Sequence, residues 1–364
     1  MQFDSAAAVR LRARMQPAAG PGTFVQPPTY AGARSEVLVA HHKRRIAGED
    51  VHCTLIGSVA AMANRLEESL AAMRADGFPL SVAEVHDEVD GYPLHESTLT
   101  MPHRGADAIA RSCTVDGKPY MQTEPGKALL GNTSNVLPLV KWHQAMLLLG
   151  GWYSARSHGG IRIPRGLHCE VVAIRSVPCS TVGGRFDVTP ASNTVPVYRV
   201  KGDGIPFDMT GKGKANKPSE LPIGMIPSGV EERGVTADYY DLSAVLSLGT
   251  IRRLRCGEID AAPLHKALAW LGVAVLLRTV GDGINLRSRC QLIPEVAPAL
   301  EVVKADGATE PLPVSLEEAR KRGIEAVEEC NRSGIHWGNE TVTLVPSEQL
   351  RNLISRSLAV GVEE

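Results

Sequence analysis

Three lysines, Lys212, Lys214 and Lys217, stand among glycines in the stretch DMTGKGKANKPSELPIGMIPSG (Asp208–Gly229). Lysines on a glycine-rich loop suit phosphate, because small residues let backbone N–H groups approach the anion while the ammonium groups neutralise it. The spacing excludes a nucleotide-binding P-loop, which needs G-x-x-x-x-G-K-[ST]. Pro206 stands where the first glycine belongs, and Gly213 where Ser or Thr belongs. Three further basic clusters point to a nucleic-acid backbone instead. Arg10, Arg12 and Arg14 recur at every second residue, and Lys43-Arg44-Arg45 and Arg252/Arg253/Arg255 complete the set. On an extended strand, alternate side chains share a face about 6.6–6.8 Å apart, close to the phosphate spacing of an extended single strand. Any one cluster alone is more often a solvated face than a binding site. Four of them in a chain of net charge −1 argue for one basic groove on an otherwise balanced body.

Catalytic patterns are sparse. There is no G-x-S-x-G elbow and no H-E-x-x-H among the 11 histidines. His103 beside Arg104 would suit acid–base chemistry on RNA, though a helix-start residue making structural hydrogen bonds is the simpler reading. HDEVD (His86–Asp90) would offer carboxylates to a metal, but ahead of Gly91 it reads as a solvated turn. The 7 cysteines form no C-x-x-C pair and read as buried free thiols in a reducing compartment. No cofactor is expected. The charged N-terminus does not suit a signal peptide, and the apolar run 267–277 is shorter than the roughly 20 residues a bilayer needs. The expectation is a cytoplasmic protein with no membrane partner.

These clusters need elements to hold them. Val9, Leu11, Ala13 and Met15 alternate with the arginines, which predicts a strand with one buried and one basic face. His41–Arg45 reads as a basic loop. Ser58 caps a predicted helix with apolar residues at Val59, Met62, Leu66, Leu70 and Met73, stopped by Gly77. Strands are expected at 80–85, 145–152, 167–177, 195–200, 284–293 and 341–345. Helices are expected at 103–112, 246–256, from Pro263 to 277, from Ser315 to 332 behind an Ser315/Glu318 capping box, and at 347–358. A segment of about 28 residues, Gly202–Gly229, exceeds the usual length of a structureless loop and is therefore expected to be functional. Helices and strands mix without regular alternation, so the fold class is α+β with long insertions. Aromatics are only 4%, and the RNP aromatic signature is absent. Recognition would then run through backbone contacts and be weakly sequence-dependent.

Several strings occur in an order that resembles a known family: PPTYAG (27–32), ANRLEESL (63–70), HRGADAIARS (103–112), KPSELPIGMIPSG (217–229), GVTADY (234–239), VLSLGTIRRLR (245–255) and NLRSRC (285–290). Together they resemble the Csb-type backbone subunit of type I-U (I-G) CRISPR effector complexes, in the Cas-seven group of the RAMP superfamily, from about Leu11 to Val345. One departure is that Gly57–Met62 stands where D-S-x-x-S-Q would precede ANR, so a polar contact the family makes there is not carried over to this chain, while the helix itself is. The resemblance implies one RRM-like (ferredoxin-like) palm spanning the chain, with finger and thumb insertions, 202–229 being a thumb or another RNA-facing loop. It implies a non-catalytic protein that binds guide RNA, stacks with copies of itself in a helical filament, meets target DNA through the guide, and joins other Cascade subunits. All twelve clustered basic residues are RNA-contact candidates on this reading. The alternative is an RNA endonuclease of the same superfamily using His103, Asp203 or Asp208.

Overall fold

The computed structural model describes residues 3, 5–31, 37–131, 133–154, 160–182, 194–200, 207–211, 214–221, 223 and 230–361. The chain forms two compact units. The first comprises Met1–Val177 and Val235–Ser347, the second Pro178–Gly234 and Glu348–Glu364.

The first unit is built, in chain order, from β1 (Ala6–Pro17), β2 (His41–Ile46), β3 (Glu49–Gly57), α1 (Val59–Ala75), β4 (Val82–Val89), β5 (Tyr92–Ser97), β6 (Leu167–Ile174), β7 (Tyr239–Ser247), α2 (Ala262–Gly281), β8 (Ile284–Arg287), β9 (Cys290–Pro294), β10 (Ala299–Lys304), α3 (Leu316–Arg332) and β11 (Thr341–Pro346). The large sheet runs β8-β9-β1-β7-β6-β3-β2, with β10 also on β1. The pairings along it are antiparallel. Within it, β1, β6, β7 and β9 lie in the order fourth, first, third, second. In the chain α1 falls between the first and second of these, and α2 between the third and fourth. A second sheet pairs β4 with β5 and, in parallel, with β11.

The alternation read in the N-terminal strand holds. Val9, Leu11, Ala13 and Met15 are buried, while Arg10, Arg12 and Arg14 occupy the other face. The helix Leu248–Ile251 packs against β1, while α1 lies against β6 and β3 and α2 against β7. α1 starts where Ser58 Oγ accepts the Ala61 N–H at 3.1 Å, and Gly77 follows its end with φ +89°. α2 is apolar nearly all round and sits in the core against α1 and α3. By length and composition it could cross a membrane, but 72% of that stretch is buried within the protein. Gly272 lets it approach the sheet, since a Cβ there would lie 2.7 Å from Leu246 Cδ1. The capping box at Ser315 forms as expected, with Glu318 N–H donating to Ser315 Oγ at 3.1 Å. None of the seven cysteines is in a disulfide, and all but Cys179 are buried.

The HDEVD segment is not a solvated turn, because His86–Val89 completes β4 and only Asp90 and Gly91 turn, with φ +51° and +77°. Four further expectations in the first unit are corrected. His41–Arg45 is not a loop but the edge strand β2, joined to β3 by a tight turn at Ala47 and Gly48 with φ +50° and +88°. Charged side chains are what protects an exposed sheet edge, so a basic string fits an edge strand as well as a loop. The apolar run at 145–152 is mainly a helix, Gln144–Leu149, buried on all sides; short apolar runs carry no period that separates helix from strand. The predicted helix 246–256 is shortened to Leu248–Ile251. Leu246 and Ser247 complete β7, and the backbone of Arg255 bonds Thr133 and Val136 instead of continuing the helix. The span 284–293 is a hairpin rather than one strand, turning at Arg289 with φ +62°.

In the second unit, Tyr198–Arg199 pairs with Phe207–Asp208, Val197 bridges Asn216, Pro218–Glu220 forms a 3-10 turn, and Glu348–Gly361 is a helix. The strand expected over 195–200 is thus two residues long.

Candidate nucleic-acid interface

The arginine face of β1 is built as predicted, but it is not a bare row of cations. The strands beside it supply one carboxylate per arginine. Arg10 meets Glu301, its register partner on β10, at 2.6 Å. Arg12 meets Asp241 of β7 at 3.3 Å, and Arg14 meets Glu295 at 3.3 Å. Arg14 also lies over the Tyr239 ring, 4.2 Å from its centroid. Cross-strand pairs of opposite charge stabilise a sheet by a few tenths of a kcal/mol up to about 1. On the same face, Val51, Cys53, Val172 and Ile174 form a small buried cluster.

On β2, Arg44 pairs with Glu170 at 2.8 Å and Arg45 with Asp50 at 3.5 Å. Lys43 is exposed and has no ion-pair partner among the described residues. At the opposite side of the sheet's chain path, β7 ends at Ser247, whose N–H donates to Gly166 O just before β6 begins. Arg253 and Arg255 follow in the chain, exposed and without ion pairs among the described residues. Arg252 instead turns inward, donating to Phe3 O at 3.3 Å. It lines a cavity of about 470 Å³ with Phe3, Trp270, Lys266 and Glu329. Two of the cavity's charged side chains meet, Lys266 and Glu329 at 2.6 Å, and Arg322 lies over the Trp270 ring at 4.8 Å.

Lys214 and Lys217 are exposed in the second unit, the Lys217 N–H donating to Glu220 Oε2 at 3.3 Å. Lys212 and Asp203 lie outside the described residues. Asp208 is exposed and accepts the N–H and hydroxyl of Thr210. Those bonds hold its carboxyl below the usual range. Arg44 therefore shares the sheet face of Arg10, Arg12 and Arg14, whereas Lys43 and Arg45 alternate to the other face, Arg253 and Arg255 follow β7, and Lys214 and Lys217 belong to the second unit.

Sequence reading missed the most deeply buried charges. Arg104 and Glu67 pair at 2.5 Å, 7% and 4% exposed. This pair ties the string HRGADAIARS to ANRLEESL. Arg104 also donates to Gly150 O at 2.9 Å and sits at φ +54°. Burial pushes the Glu67 carboxyl up to about 7 against the pull of Arg104, and burial lowers the Arg104 guanidinium in turn. Beside them, His143 is fully buried with its Nε2–H donating to Pro125 O at 2.8 Å. Burial lowers its imidazole to about 4. His103, the acid–base candidate, is exposed and uses its backbone N–H on Asp107. Among the described residues no group of three or more His, Cys, Asp or Glu is arranged to hold a metal.

Trp152 and Arg162 were also missed. They face each other across a two-strand ladder, Gly151–Trp152 with Arg162–Ile163. Trp152 is 69% exposed. The available signal was the alternation of Ile161, Arg162 and Ile163, which marks a strand with an outward arginine.

Residues 9–177 match the protein family described as "CRISPR-associated protein GSU0053". The resemblance to CRISPR-associated proteins therefore stands over β1 to β6. No curated protein matches the chain. Among solved structures, "CRISPR RNA-guided surveillance complex, pre-nicking" is similar at 11% identity and TM-score 0.32, over 97% of this chain and 99% of that one. "Crystal structure of Thermofilum pendens Csc2" is similar at 10% identity and TM-score 0.33, over 96% and 82%. "Type IV-B CRISPR Complex" is similar at 13% identity and TM-score 0.29, over 84% and 94%. Overlays this loose carry no argument about what the chain binds.

Proposed function

We propose that this protein is a non-catalytic, guide-RNA-binding backbone subunit of a cytoplasmic type I CRISPR surveillance complex. It oligomerises along the guide and presents it for pairing with target DNA, beside other subunits of that complex. The observation that carries this reading is the family match over residues 9–177, which spans the arginine strand and the helix ANRLEESL. The strand order fourth-first-third-second, with two helices on one face, supports reading the first unit as an RRM-like palm. The insertion between β6 and β7, which carries the Gly–Lys loop, is then the thumb or another RNA-facing segment. The protein contacts phosphates and shape, while base pairing by the guide reads sequence.

Purification from its host under low salt tests this. The expected product is an oligomer carrying small RNA, with affinity falling as salt rises. A monomer free of RNA and indifferent to added single-stranded RNA sinks the reading. Cleavage of labelled RNA, with or without magnesium, would replace it with the endonuclease alternative.

A further inference from the structure

We propose that Trp152 and Arg162 form a stacking platform for a base of single-stranded nucleic acid. The inference deepens the RNA-binding reading and rests on it. Of the four tryptophans, Trp270 and Trp337 are 4% and 3% exposed and Trp142 is half-buried, whereas Trp152 is 69% exposed. An indole is among the most favourable side chains to bury, so leaving one in water on an ordered strand asks for a partner. Tyr153 N–H donates to Ile161 O at 2.9 Å, and Ile161 and Ile163 are buried on the opposite face of the same ladder. Arg165, just beyond, donates to Leu149 O and Val59 O. Trp152 and Arg162 are directly opposed. Side chains so placed on neighbouring strands have Cβ atoms about 4.5–5.5 Å apart.

Charge selects the occupant. Arg162 is exposed and has no ion-pair partner among the described residues, unlike Arg10, Arg12 and Arg14. From Gly150 to Gly166 the sequence holds arginines and no Asp or Glu. A flat indole beside an unpaired guanidinium, on a segment whose own sequence carries no acid, fits a base and its phosphate. The ladder also leads directly into β6, whose start is bonded to the end of β7 through Ser247 N–H and Gly166 O.

The test uses the full-length protein and two probes of equal length: an oligoadenylate RNA and its abasic ribose-phosphate counterpart. Oligoadenylate is expected to quench tryptophan emission, and Trp152→Phe should remove most of that quenching while leaving affinity within about threefold. Trp152→Ala should weaken oligoadenylate binding about tenfold or more, as loss of one stacked base does. Binding of the abasic probe should not change. If both probes bind and Trp152→Ala leaves oligoadenylate affinity unaltered, the platform is overturned alone. A change in self-association with unaltered RNA affinity overturns it too and makes Trp152 a contact between copies. Failure of the wild-type protein to bind either probe overturns the RNA-binding reading and the platform with it.

Discussion

Glu67 and Arg104 show how differently two arginine–carboxylate contacts behave in one protein. The Arg12–Asp241 pair is solvated, with the arginine side chain 59% exposed, and such pairs contribute about 0–1 kcal/mol. Glu67–Arg104 is buried, and removing one partner leaves the other charged and unsolvated. Glu67→Ala or Arg104→Ala is therefore expected to cost about 3–5 kcal/mol, read as a shift in urea unfolding. Asp241→Asn should move the same transition by less than about 1 kcal/mol. The double variant Glu67→Ala/Arg104→Ala should cost less than the sum of the two single ones. Gly105 marks the tight spot beside this pair, because a methyl group there would overlap the His143 ring.

The same pocket sets a dependence on pH. The His143 imidazole, at about 4 when folded against an ordinary 6.5, binds fewer protons in the folded state between those values. Its contribution is complete above pH 6.5 and is lost as pH falls toward 4, on the order of 3 kcal/mol in all. The Glu67 carboxyl, raised to about 7 from an ordinary 4.5, binds more protons in the folded state across that interval. Its contribution therefore declines as pH rises from 4.5 to 7. The two slopes oppose each other. Unfolding midpoints of the wild type should change little between pH 4.5 and 6.5, while Glu67→Gln should become clearly more stable with rising pH. Equal slopes in both proteins would remove Glu67 from this account.

At the level of elements, what a local pattern can encode was legible and what distant residues decide was not. The alternation of β1, the caps of α1 and α3 and the apolar girth of α2 all sit within one window of sequence. Ser247 and the bonds between Arg255 and residues 133–136 cut the helix at 248–251, and no window around 250 contains that information. The arginine row was likewise visible, but its neutralisation was not. Glu301 is 291 residues from Arg10 and Asp241 is 229 from Arg12. This gives a direct test of whether the β1 face meets RNA. Replacing Glu301 with Gln, Asp241 with Asn and Glu295 with Gln should free three arginines. RNA affinity should then rise, and the salt slope steepen by about 0.7 per arginine that gains a phosphate. An unchanged slope would mean that the face points away from the nucleic acid.

The whole chain is organised as one unit interrupted by another. Residues 178–234 enter between β6 and β7, yet those strands are already in register where they are cut, with Ile174 opposite Tyr239 and Asp238 N–H donating to Ile174 O at 3.0 Å. Joining residue 177 to 235 through a short Asn-Gly turn should therefore leave the first unit folded. A cooperative thermal transition with native near-ultraviolet circular dichroism is the expected result. Loss of RNA binding in that variant, with folding retained, would locate the essential contacts in the insertion.

The pairing of β1 with β10 also fixes an order in time. Arg10 leaves the ribosome early, while Glu301 is made 291 residues later, which at about 5–20 residues per second is roughly 15–60 s. Through that interval the central strand of the sheet has no neighbour on that side. A strand that reads apolar-arginine-apolar is suited to the wait, since like charges on successive nascent chains repel edge-to-edge pairing. The arginines of β1 thus guard the growing chain before their carboxylate partners exist.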